Sequence, residues 1–368
     1  MSVKTAYSTL CPAERAAGDI YSQLQKFDPK MVIFFASSAF DQAVLSQKLQ
    51  ECFPSAVTFG CSTAGEIISG KMLKNSVVAM AFDEETISGV KVEVVENIKE
   101  DGDVKKAFAS FEKYYGEPAR QMDYKKYTGI VLIDGLSMSE EKIMERIGDT
   151  TNVVFVGGSA GDDLKFEKTY VCAGGKAYTN AAVLALLKPK TAFDFIKTQS
   201  FDVLNKKLVA TKVIPEKREV VEFNGKPAAV AYAEALGVSV KEAANFFMTH
   251  PLGLVAEDEI FVRSPQKITG NSMVFYCNIL EGMEVYVLQD RDIVGETWSA
   301  IKSKKRRMGQ ITGIINFNCI LRTLELEQNG ETGAYAGLFS EIPTIGFSTY
   351  GEAFQGHINQ TATMLVFK

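Results

Sequence analysis

The chain alternates short apolar runs with amphipathic stretches, and the alternation repeats. "MVIFFASSAF" (Met31 to Phe40) reads as a strand, "DQAVLSQKLQECF" carries apolar residues at helical spacing, and "AVTFG" reads as a second strand. The order returns as "TGIVLIDGLSM" (Thr128 to Met138), "SEEKIMERIGD" and "NVVFVGG". It returns again as "TGIINFNCILR" (Thr312 to Arg322), a polar and acidic segment, and "IPTIGFS". Each copy closes on a further strand-like run: "NSVVAMAF" (Asn75 to Phe82), "NAAVLALL" (Asn180 to Leu187) and "TATMLVF" (Thr361 to Phe367). Strands interleaved with helices of moderate length predict an α/β fold in layers. The period is too long for a solenoid and predicts duplicated subdomains. Residues 1–189, with the first two copies, are expected to form one α/β domain, and residues 190–368, with the third, another. In the latter, "KTQSFDVLNKKLVATKVIP" and "REVVEFNGKPAAVAYAEALG", with a turn at Asn224–Gly225, predict antiparallel pairing and so mixed sheets flanked by helices.

The second strand of each copy enters a similar turn: "TFGCSTAGEII" (Thr58 to Ile68), "VFVGGSAGDDL" (Val154 to Leu164) and "TIGFSTYGEAF" (Thr344 to Phe354). Ser62, Gly65 and Glu66 correspond to Ser348, Gly351 and Glu352 without a gap, and to Ser159, Gly161 and Asp162 with one residue dropped. Read as structure alone, Gly65 and Gly351 supply positive φ, the serines bond the turn's own backbone, and Glu66 and Glu352 are exposed acids. The third copy is richer. "FSTYGEAFQGHINQTAT" crowds donors and acceptors beside a strand, the density a ligand pocket needs for orientation.

Composition narrows the function classes. The net charge of −5 gives no long-range attraction to nucleic acid or anionic lipid. The basic run "KSKKRR" (Lys302 to Arg307) suits the last turn of a helix. "MSVKTAYSTLCPAERAAG" lacks an apolar core of signal-peptide length, and no run approaches the ~20 residues of a membrane span, so a cytoplasmic protein without membrane insertion is expected. Six scattered cysteines without a Cys-x-x-Cys pair read as buried small hydrophobes, with no metal site implied.

Taken in order, "FGCSTAGEI", "VFVGGSAGDD", "FNCILR" and "IGFSTYGEAF…HINQTATMLVF" resemble the FIST family over nearly the whole chain, its N-terminal domain over residues 1–189 and its C-terminal domain over 190–368. The resemblance implies a sensory module in signal transduction that binds small ligands such as amino acids. It also points to a branch that binds haem, senses nitric oxide and acts on a partner histidine kinase. With no kinase or cyclase domain in this sequence, output is expected to pass to a separate signalling protein.

The expected pocket lies between Asn318, Cys319 and Arg322 and the turn carrying Ser348, Thr349, Tyr350, Gly351, Glu352 and Asn359. A guanidinium suits a ligand carboxylate, and Glu352 a ligand ammonium, with neutral hydrogen bonds from the hydroxyls. Against this, Arg322 has Glu325 and Glu327 as structural ion-pair partners. Haem instead requires an axial ligand, for which His357 and His250 are the two histidines and Cys11, before Pro12, a thiolate alternative. No catalytic motif is present, so no enzyme activity is expected; the remaining enzymatic reading is a Cys–His nucleophile using Cys61.

Overall fold

A computed structural model describes residues 3–256 and 259–368. The chain forms two compact units. One comprises Met1–Lys197, Trp298–His357 and Ala362–Lys368; the other comprises Thr198–Thr297 with Ile358–Thr361. Packing groups all three sequence copies in the first unit. The second unit is inserted ahead of the third copy, from within the strand Phe193–Gln199 to within the helix Ile293–Met308.

The first unit contains three six-stranded sheets built to one plan. The first sheet runs Val3–Ser8, Val77–Phe82, Met31–Ser37, Val57–Thr63, Val171–Ala173, Lys176–Tyr178. The second runs Ile87–Glu96, Ala181–Pro189, Thr128–Ile133, Phe155–Ser159, Glu352–Phe354, His357–Ile358. The third runs Phe193–Gln199, Thr361–Phe367, Gly313–Cys319, Thr344–Thr349, Glu66–Ile68, Lys71–Leu73. In each, two central parallel strands belong to one copy, and that copy's closing strand pairs antiparallel beside them. A hairpin from another copy then completes the sheet. The first copy receives the second copy's hairpin, the second receives the third's, and the third receives the first's. The unit is therefore a pseudo-threefold ring of exchanged hairpins, and the serine–glycine turn of each copy is where the chain leaves its own sheet for its neighbour's.

The central strands are apolar throughout because both faces are buried. In Met31–Ser37, Met31, Ile33 and Phe35 join a core shared by all three sheets, while Val32, Phe34 and Ala36 pack under the helices Ala13–Leu24 and Gln42–Cys52. The second copy splits the same way, with Ile130 and Leu132 inward and Val131 and Ile133 under the helices Val104–Tyr115 and Glu140–Thr150. The parallel pairs approach so closely that one position in each tolerates no side chain. A Cβ on Gly60 would stand 2.0 Å from Phe34 O, on Gly157 1.7 Å from Val131 O, and on Gly346 2.1 Å from Asn316 O. That is the physical origin of the Gly-x-Ser step in all three turns.

The second unit holds an eight-stranded sheet over a core that includes Tyr232, Phe223 and Phe275. Phe201–Ile214 and Glu219–Phe223 pair antiparallel as expected. Their connection, however, is the turn Pro215–Lys217, while Asn224–Gly225 leads back into the two-residue strand Lys226–Pro227. "AAVAYAEAL" is a helix, stopped by Gly237 in the left-handed region. The basic run ends its helix, with Lys305, Arg306 and Arg307 in the last turn. Among the described residues no helix is long and apolar enough to cross a membrane.

Candidate functional site

The three turns bond to one another in a cycle. Ala64 N donates to Ser348 O (3.2 Å) and Ser348 N to Gly65 O (2.8 Å); Tyr350 N donates to Ser159 O (3.1 Å) and Ser159 N to Gly351 O (2.8 Å); Gly161 N donates to Ser62 O (3.0 Å). Gly65 and Gly351 have the expected positive φ, 127° and 153°. The serines serve neighbouring segments and not their own turns. Ser62 Oγ donates to Gly161 O (2.7 Å) and accepts from Tyr170 N (2.9 Å), while Ser348 Oγ lies 2.8 Å from Thr323 Oγ1.

The expectation of exposed acids is corrected: Glu66 is 1% exposed and Glu352 0%. Each turns inward at the crossing between sheets and accepts from the threonine three residues earlier, Thr63 or Thr349. Glu66 also accepts from Ser76 N (3.1 Å) and Ser76 Oγ (2.6 Å). In the middle copy Ala160 replaces the threonine, and Asp162 accepts instead from Phe166 N, Glu167 N and Lys168 N.

Burial pushes the Glu66 carboxyl up to about 7 from 4.5, against opposing hydrogen bonds from Ser76 and Thr63. The folded protein thus holds this proton more tightly than the unfolded chain does. Its contribution is fully present below pH 4.5 and is lost as pH rises to about 7, by on the order of 3 kcal/mol. Glu66→Gln, which does not titrate, should therefore gain stability relative to the native protein between pH 4.5 and 8. Urea unfolding at the two pH values checks this; a difference independent of pH contradicts it.

Strand register aligns the copies residue by residue. Ala36 lies beside Ser62, Ile133 beside Ser159, and Asn318 beside Ser348. Two residues earlier on the same faces stand Phe34, Val131 and Asn316. Where the first two copies are apolar, the third buries two asparagines. Tyr335 OH donates to Asn318 Oδ1 (3.0 Å) and accepts from Asn316 Nδ2 (3.1 Å). Arg322 Nε also donates to Asn318 Oδ1 (3.0 Å), and Asn318 Nδ2 donates to Thr323 Oγ1 (3.0 Å). The helices Ile320–Gln328 and Thr332–Gly337 deliver Arg322, Thr323 and Tyr335. The Arg322 guanidinium, 1% exposed, sits 6.0 Å from the Tyr335 ring centroid. Burial pushes the Tyr335 phenol up; the Arg322 charge opposes this and the Glu352 charge adds to it.

The residues expected from sequence divide into groups. Asn318, Arg322 and Ser348 share the cluster, and Cys319 ends the strand beside Thr349, which bonds Glu352. Gly351 lies against the His357 ring, where a Cβ would come 2.1 Å from Cε1. Tyr350 points elsewhere: its hydroxyl donates to Asp162 and accepts from Leu164 N, and its ring stacks on Phe166. Asn359 belongs to the short stretch that packs with the second unit, and His250 lies wholly within that unit. Sequence reading missed Asn316, Thr323 and Tyr335. Setting "NFNC" beside "FFAS" and "VLID" would have exposed the first of them.

The FIST N domain profile matches residues 30–226 and the FIST C domain profile residues 228–355. This chain belongs to the FIST family. FIST domains are associated with sensing in signal transduction. An uncharacterised protein of Methanocaldococcus jannaschii is 27% identical over 301 residues, which cover 75% of this chain and 57% of that protein. The chain thus spans little more than half the length of that relative.

The haem expectation for this FIST chain can be set against its histidines. His357 is 5% exposed, and its ring packs over the turn so closely that a Cβ on Gly351 would come 2.1 Å from Cε1 and 2.9 Å from Nε2. His250 is half-buried, with Nδ1 3.0 Å from Thr249 Oγ1 and its ring edge-on to Phe246. Cys61 and Cys172 offer little nucleophilic character: burial pushes the Cys61 thiol well up and the Cys172 thiol up to about 12.

Proposed function

We infer that this chain is a ligand-sensing module whose third copy binds a small amino-acid-like molecule and relays binding to a separate signalling protein such as a histidine kinase. The observation that carries this reading is the broken symmetry. Two strand positions that are apolar in the first two copies hold Asn316 and Asn318 in the third, where Arg322 and Tyr335 bond to them. Buried polar groups cost stability relative to an apolar core, so two asparagines at strand positions that are apolar in the other copies favour a binding role. Arg322 supplies the geometry for a carboxylate and Glu352 the charge for an ammonium, with Ser348 and Thr349 alongside. The cluster is closed by its own side chains, so ligand entry displaces the turn Ser348–His357. That turn ties the third copy to the second through Ser159, which gives the displacement a route to the surface.

Thermal unfolding with each proteinogenic amino acid tests this. At about a hundred times its dissociation constant, the right one should raise the melting temperature by roughly 5 °C. Arg322→Lys, which keeps the charge but not the planar fork, should lose that rise. Haem uptake with a sharp absorption band lost in His250→Ala or His357→Ala would replace the amino-acid reading. No response to any of these ligands would remove the site assignment.

A further inference from the structure

The ring of exchanged hairpins creates three seams, each between the edge strand of one sheet and the hairpin end of the next. They are not alike. Between the first and third sheets, Lys71 Nζ donates to Tyr7 OH (2.7 Å) and lies 4.4 Å from its ring centroid. Between the third and second sheets, Phe195 meets Phe354 edge-on at 5.9 Å. Both seams are plugged by an aromatic ring. At the remaining seam, between Ile87–Glu96 of the second sheet and Lys176–Tyr178 of the first, no such bridge is found among the described residues. A groove of about 540 Å³ lies there instead.

The groove follows a backbone. A strand presenting a face lines a cavity with alternate residues. Here five consecutive residues, Val90 to Val94, line it, and residues 91–94 are all half-buried. Ile87–Glu96 is the terminal strand of its sheet, so the outer edge of this stretch has no ladder partner; Lys176–Tyr178 is likewise terminal in its own. The side chains are already committed: Val92, Val94 and Tyr178 pack on the shared core, and Lys91 pairs with Glu93 at 2.9 Å. What remains on offer is main-chain hydrogen bonding along about five residues, roughly 16 Å of extended chain. Exposed Lys176 on the facing wall adds a positive charge without an ion-pair partner among the described residues.

We propose that this third seam binds an extended segment of a partner protein, added as a strand along Ile87–Glu96, with an acidic residue facing Lys176. Strand addition takes its affinity from main-chain bonds and its selectivity from alternate side chains. This site rests on the seam geometry and stands apart from the third-copy cluster.

The test uses the full chain and fluorescein-labelled acetyl-Thr-Val-Glu-Val-Thr-Val-amide, followed by anisotropy, together with the same peptide N-methylated at alternate amides. Binding of the first peptide is expected to saturate, and the N-methylated peptide to bind at least about tenfold more weakly. Amide exchange at residues 90–94 should slow on addition of the first peptide. Lys176→Glu, at an exposed position that leaves the core intact, should weaken it about tenfold through like-charge repulsion. Equal binding of the N-methylated peptide, unchanged exchange at residues 90–94, indifference to Lys176→Glu, or no saturation by about 1 mM would each overturn the proposal.

Discussion

Gly157→Ala should leave the protein unfolded at room temperature. The added Cβ would stand 1.7 Å from Val131 O, which is backbone and has no side-chain freedom with which to retreat. Relief requires parting Thr128–Ile133 from Phe155–Ser159, the central parallel pair of the second sheet. The expected cost exceeds ~5 kcal/mol, which reaches the whole stability of an ordinary domain. A control isolates the steric cause. Gly148→Ala, in the helix Glu140–Thr150 with nothing within 4 Å of the new Cβ, should stabilise by roughly 0.5–1 kcal/mol. Circular dichroism and urea unfolding of both variants read the result. A Gly157→Ala protein with native stability would show that the parallel pair does not approach as described.

Arg322→Ala should cost about 3–5 kcal/mol, although it lies in a helix that alanine itself favours. The substitution empties the space of a large buried side chain and removes a donor from Asn318 Oδ1. It also takes away the positive charge beside the Tyr335 phenol. Arg322→Met separates these effects, since it restores volume without charge. Recovery of most of the loss by methionine would assign the cost to packing; recovery of little would assign it to the polar cluster, the outcome expected here. An Arg322→Ala variant within ~1 kcal/mol of the native protein would contradict a cluster that depends on this residue.

These effects differ in how far the sequence foretells them. The central strands were legible because they are apolar on both faces, and the copies announced themselves through Gly-x-Ser turns. The reason for those glycines was not legible, since it depends on which carbonyl lies opposite. Hairpin exchange was hidden for a related reason. Three-residue strands such as Glu66–Ile68 carry too little periodicity to mark a partner, and their partners lie in another copy. The burial of Glu66 follows from that exchange and was missed with it. The insertion of Thr198–Thr297 could not be read either, because nothing local distinguishes a strand that pairs nearby from one that pairs across a hundred residues. In the candidate site, Asn318, Arg322 and Ser348 were found from residue type near a strand end. Tyr335 was not, because a helix brings it there and its own surroundings, "GAYAG", look unremarkable.

That the third-copy cluster receives a ligand is tested most directly by amide hydrogen exchange at residues 316–323 and 344–357, with and without the amino acid that raises the melting temperature most. Direct contact predicts that exchange slows by at least about tenfold in those two segments, more than in the equivalent segments 34–41 and 58–71 of the first copy. Protection spread evenly over the three copies, or confined to the second unit, would place the ligand elsewhere and contradict the assignment.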